Sequence, residues 1–200
     1  YGDGAMNEEA LKACRDGADK ISALSKERIT QEFFKILSVD APVSILESMF
    51  ENNILRELSV AEYKPDLLKH LCTFQHHYGL AFLASRLLVL AGFEEKNVSK
   101  FEKFLLIPKV FKRDIQNLIQ VLALPDLSED HAVKVAVYKY GRVPTAQALM
   151  IEMAQDRVMN GYGPKAIDII QNWDIPNFPM SGEDLIKKGA AQGPELGREL

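Results

Sequence analysis

Apolar residues recur at three- and four-residue intervals along almost the whole chain, and no run of four to eight residues alternates as a half-buried strand would. That periodicity predicts an all-α fold, a multi-helix array without a sheet. Two hundred residues suffice for one sizeable domain or two small ones with a real core. Apolar residues make up 47% and charged residues 26%, the ordinary mixture of a soluble globular chain. No apolar run reaches the length of roughly 18 residues that a membrane span needs, and no basic-then-apolar leader is present. The chain begins at Tyr1 and stops at Leu200 inside a helical pattern, so both ends are expected to be cut. Cys14 and Cys72 lie far apart in helical patterns without zinc or redox spacing, and are expected to be buried, inert thiols in a reducing cytoplasm.

Punctuation residues divide the pattern. Asn7 caps a first helix that runs toward Ile21, and Ser25 starts a second with Ile29, Phe33, Ile36 and Leu37 on one face. Pro42 opens a third, and a short amphipathic segment at Ile54–Leu58 follows the Asn52-Asn53 turn. Two helices are expected from Asp66 to His76 and from Leu80 to Ala91, the latter stopped by Gly92. Further helices start near Asn97, after Pro108, at Ser128 with Asp130, and at Pro144, the last running to Met159. The segment from Asn160 to Pro164 is the clearest linker, and a final helix precedes Trp173. The expected division is 1–60, 61–125 and 126–200.

Reactive constellations are missing. No glycine-rich loop follows a strand, which excludes a P-loop or a dinucleotide fingerprint. His76 and His77 are adjacent, so on a helix they diverge by about 100° and cannot share a metal; His70 and His131 stand apart from both. Glu8-Glu9 and Glu129-Asp130 sit at helix starts, where negative charge complements the macrodipole without catalysis. Two-metal phosphoryl transfer needs rigidly placed carboxylates, commonly Asp-x-Asp on a strand, and that pattern does not occur. The chain is expected to bind no metal and to be catalytically silent.

With 24 basic and 28 acidic residues the net charge is −4, which argues against a chain that coats nucleic acid everywhere but permits one basic face. Lys96, Lys100 and Lys103 share one helix face, and Lys109, Lys112 and Arg113 continue the run past Pro108. Lys139 and Arg142 read as charge complement at a helix C-terminus.

Two segments carry a specific pattern. One is Leu24-Ser-Lys-Glu-Arg-Ile-Thr-Gln-Glu-Phe-Phe-Lys-Ile-Leu37; the other runs from Ile175 through Phe178-Pro-Met-Ser-Gly-Glu-Asp-Leu185 to Gly193-Pro-Glu-Leu-Gly197. In this order they resemble the C-terminal part of class II tRNA nucleotidyltransferases, the CCA-adding enzyme and poly(A) polymerase family. The first is similar to the family's fifth motif, placing Glu27, Arg28 and Glu32 in a structural neck helix. The second is similar to its tail signature, departing from it at Gln192, where proline is common.

The resemblance implies that the metal-binding and nucleotide-selecting motifs, with Mg²⁺ and CTP or ATP, lie in a head upstream of Tyr1. It implies no catalytic residue here. What it implies for this chain is tRNA binding in support of CCA addition to tRNA 3′ ends, or the corresponding role in a poly(A) polymerase. Ser181, Gly182 and Gly193 precede short tail helices whose N-termini suit phosphate, with Lys187, Lys188 and Arg198 nearby. These residues, with Lys100 and Lys103, are the expected RNA contacts, and affinity is expected to come mainly from phosphate neutralisation. The rival expectation is a stand-alone helical protein-interaction module.

Overall fold

The structure, a computed structural model, describes residues 7–58, 60, 63–80, 82–124, 127–159, 161–176 and 186–187. Among these the regular elements are helices only: α1 Glu8–Asp16, a 3-10 segment Ala18–Ala23, α2 Lys26–Ser38, α3 Val43–Glu51, α4 Ile54–Glu57 and α5 Pro65–His77. Then follow α6 Leu83–Leu90, α7 Glu95–Phe101, α8 Lys109–Leu122, α9 Asp130–Tyr140, α10 Arg142–Ala154 and α11 Gly163–Asn172. The all-α array predicted from periodicity is the fold found.

The caps read from sequence hold at two helix starts. Asn7 accepts from the Ala10 N–H at 3.0 Å and Ser25 Oγ from the Arg28 N–H at 3.3 Å, each satisfying one unpaired donor of a first turn. Four boundaries differ from expectation. The first helix does not reach Ile21; Gly17 ends it, and the chain tightens into the 3-10 segment. The helix expected from Leu80 begins three residues later, at Leu83. Ser128 does not cap α9, whose N-cap is Glu129; Ser128 Oγ instead lies 3.4 Å from the Met159 N–H, where it accepts. Finally, α10 stops at Ala154 because Asp156 turns left-handed at φ 55°. The presumed linker is therefore short: Gly163 and Pro164 already belong to α11.

One continuous core runs from Ile29 to Ile170. Its centre is α10, in which every residue except Arg142, Val143 and Met153 is buried. A helix buried on all sides needs partners on all sides, and α5, α6, α8, α9 and α11 pack around it. The apolar run of α6 is likewise buried from Ala84 to Leu90. In contrast, α1 has no buried residue and packs on the 3-10 segment. Cys14 is consequently exposed, correcting the expectation that both thiols are buried. Cys72 is buried, and that burial pushes its thiol above the ordinary value, against the opposing pull of nearby Arg86.

Arg86 is the least expected core residue, at 2% exposure. Its Nε donates to Gln75 Oε1 at 2.7 Å, and Nη1 donates to the backbone carbonyls of Leu37 at 2.5 Å and Val39 at 2.6 Å. Those carbonyls end α2, so the cation meets the negative end of a helix dipole. Gln75 in turn donates to Ser85 Oγ at 2.8 Å, and the Ser85 N–H donates to Gln147 of α10 at 3.0 Å. One polar chain thus ties α2, α5, α6 and α10 together. Replacing Arg86 by Met strands these acceptors in the core. We expect an unfolding free energy lower by about 3 kcal/mol in urea titration, with Arg86→Lys losing less.

Candidate nucleic-acid interface

Helix α2 buries Ile29, Phe33 and Leu37 at helical spacing and turns its charges outward. Glu27 and Arg28 are exposed; Glu32 is half-buried and pairs with Lys35 at 2.9 Å. Arg28 and Glu32 also border an apolar cleft of about 280 Å³, lined by Ile21, Leu24, Met49 and Ile54 among others. The three motif residues therefore decorate the outer side of a helix whose inner side is fixed by packing and by Arg86.

The basic run is built against that same helix. Lys26 Nζ donates to the Glu102 carbonyl at 2.8 Å, and the Leu106 N–H donates to Thr30 Oγ1 at 2.7 Å. The rings of Phe34 and Phe111 sit 5.5 Å apart just beyond. These contacts fix the connection between α7 and α8 on the flank of α2. From Lys100 to Arg113 the chain carries five cations against the single carboxylate of Glu102.

Lys103, Lys109 and Arg113 are exposed, Lys100 donates to Asn97 Oδ1 at 2.8 Å, and Lys112 pairs with Glu102 at 2.8 Å. Lys96 is drawn to Glu94 at 2.5 Å. The first turn of α8 holds no acidic residue and its N-cap Pro108 provides no side-chain bond. Cations at a helix N-terminus oppose the dipole, and an anion there relieves both. The chemistry open to this face is phosphate neutralisation.

Of the expected tail contacts, Lys187 is described and exposed. Ser181, Gly182, Lys188, Gly193 and Arg198 lie outside the described residues. Arg142 complements a helix C-terminus as expected, but that of α11 and not of the helix preceding Gly141, donating to the Ile170 carbonyl and to the Trp173 carbonyl at 2.9 Å. Sequence reasoning missed Lys26 and Thr30, whose roles depend on a segment some seventy residues away. Among the described residues no three His, Cys, Asp or Glu side chains come together as metal ligands.

A family model described as "Probable RNA and SrmB- binding site of polymerase A" matches residues 5–63. A zebrafish (Danio rerio) protein, CCA tRNA nucleotidyltransferase 1, mitochondrial, is 26% identical over 220 residues, covering 98% of this chain and 46% of the relative. The mouse (Mus musculus) protein of the same name is 24% identical over 201 residues, covering 98% and 45%. The chain is thus similar, over nearly all of its length, to proteins of the CCA-adding enzyme and poly(A) polymerase family. It spans about half the length of these curated relatives.

The family match includes α1 to α4, and with them the motif helix, its cleft, and both residues that hold the basic connection. Thr30→Val keeps the shape of the side chain and removes the acceptor for the Leu106 N–H. We expect a loss of about 1 kcal/mol in unfolding free energy and faster hydrogen exchange at the Leu106 amide. Unchanged exchange there would contradict the anchoring role.

Proposed function

We propose that this chain is the RNA-holding C-terminal part of a CCA tRNA nucleotidyltransferase. The parent would transfer CMP and AMP from CTP and ATP to tRNA 3′ ends. Mg²⁺ and the nucleotides would be held in a part of the protein outside this sequence, and this chain by itself would be inactive. The observation that carries the reading is the coincidence of an RNA-binding family match with a helix that supports five clustered cations. Both relatives are named as tRNA nucleotidyltransferases and follow this chain along nearly all of its length. A poly(A) polymerase of the same family shares the RNA-holding part of this reading.

In this reading residues 1–60 form the neck, 61–125 the body and 126–200 the tail, and Lys100, Lys103 and Lys187 meet phosphates. Recognition by backbone and shape suits a folded RNA whose helical major groove side chains cannot enter. The relatives are named as mitochondrial, which favours that compartment over the cytoplasm expected from the thiols; the free cysteines suit any reducing compartment. No helix among the described residues is long and apolar enough to cross a membrane.

A second reading has its own support. The cleft bordered by Arg28 and Glu32 is strongly apolar, and Leu24 at its rim is 44% exposed, which favours docking of a protein segment. Filter binding of tRNA at rising salt separates the two. RNA holding predicts affinity that falls steeply with salt, and each of Lys103→Gln, Lys109→Gln and Lys187→Gln lowering the logarithmic salt slope by about 0.7–0.9. Binding insensitive to salt and to all three would remove the electrostatic face from the argument. In the same samples, CTP, ATP and Mg²⁺ should yield no extension of the tRNA.

A further inference from the structure

The connection between α7 and α8 carries an apolar ridge among its cations. Leu105 and Ile107 are buried, while Leu106 between them is 47% exposed. Pro108 and, in the first turn of α8, Val110 continue the outward line, Val110 at 61% exposure. One exposed aliphatic on a surface needs no explanation. Leu106, Pro108 and Val110 instead form an unbroken alternation of outward apolar groups, and the bond from the Leu106 N–H to Thr30 Oγ1 holds its backbone in place.

Exposed Lys103, Lys109 and Arg113 flank this ridge. Arg113 follows Lys109 by four residues and Val110 by three, so all three share one side of α8. The carboxylates of this stretch are Glu102, which Lys112 takes up at 2.8 Å, and Asp114, which is half-buried. On the supporting helix Lys26 is followed by Glu27, and the pair adds no net charge. Around the ridge the exposed charge is therefore a surplus of cations.

Phosphates account for the cations but not for the ridge. A continuous RNA duplex presents phosphate, ribose and base edges, and stacking covers the flat apolar faces of its bases. Aliphatic and proline side chains gain from RNA where a base face is uncovered. Nucleotides turned out of loops and bulges uncover one, with phosphates on either side.

We propose that this face takes one unstacked base of a folded RNA, laid against Leu106, Pro108 and Val110, with the flanking phosphates on Lys103, Lys109 and Arg113. The inference rests on the RNA-holding reading and deepens it: the cations hold any RNA, and the ridge selects one with a base turned out.

The test uses the whole chain and two RNA duplexes of one sequence, one with a single bulged adenosine and one with an abasic ribose in the same bulge. The abasic bulge keeps the phosphates and removes the base face. Titrated over a salt series, the adenosine bulge should bind about fivefold more tightly, roughly the worth of burying one or two methylene groups. Leu106→Ser and Val110→Ser should each narrow that preference and together abolish it, leaving the abasic affinity and the salt slope unchanged. Both side chains are exposed, and Leu106→Ser keeps the N–H that bonds Thr30, so the Tm should hold. Lys103→Gln should weaken both RNAs and keep the preference. Salt-sensitive binding with equal affinity for the two bulges would overturn the base contact, leave the RNA-holding reading standing and return the ridge to a protein partner. A preference that survives the double variant would put the base elsewhere and overturn the ridge as its seat. If neither RNA binds in a salt-sensitive way, the RNA-holding reading falls first and this inference with it.

Discussion

A single buried guanidinium holds the arrangement together. Arg86 has no carboxylate among its hydrogen-bond partners; its positive charge is met by two carbonyls at the end of α2 and by Gln75. Burying a cation is costly unless every donor finds an acceptor. The structure answers that cost with geometry: α2 must end where it does, at Leu37 to Val39, for those carbonyls to turn toward α6. Because α2 also carries the basic connection on its outer flank through Lys26 and Thr30, the position of the cationic face is set from inside the core.

The same device appears at the far end of the array. Arg142, at the start of α10, reaches across to the carbonyls that close α11, where Lys134 also sits 5.8 Å over the Trp173 ring. Both arginines satisfy the orphan carbonyls of a helix on another element, and so convert a helix terminus into a packing contact. Between them lies α10, buried along most of its length.

Much of this was legible in the sequence, for reasons that are local. Asn7 and Ser25 act on donors three residues away, and Gly92 adopts a positive φ that other residues resist, so the element boundaries they mark survived. The failures came where a distant partner decides. Periodicity runs unbroken across Gly17, since a 3-10 turn spaces apolar residues almost as an α-helix does. The apolar Val158 and Met159 extended the pattern of α10 past its true end, because nothing local announces that Asp156 turns left-handed. Nothing local marks Arg86 and Gln147, polar residues within apolar runs, as core residues; only the assembled helices show it. At the candidate site the clustering of lysines was visible, but Lys26 and Thr30, which fix the cluster, were not.

A chain of net charge −4 can still hold a polyanion if the two effects act over different ranges. Repulsion from the acidic remainder is spread over the whole surface and is screened beyond about 8 Å at physiological salt. Attraction to the five cations between Lys100 and Arg113 operates at contact and gains from released counterions. The acidic background therefore penalises loose, misoriented encounters more than it penalises the docked one. In the proposed reading it would confine an RNA to the edge that α2 supports, and an RNA so placed would be held by shape around a fixed point instead of coating the protein. The acidic balance, which at first sight favours a protein partner, is in this arrangement a source of orientation.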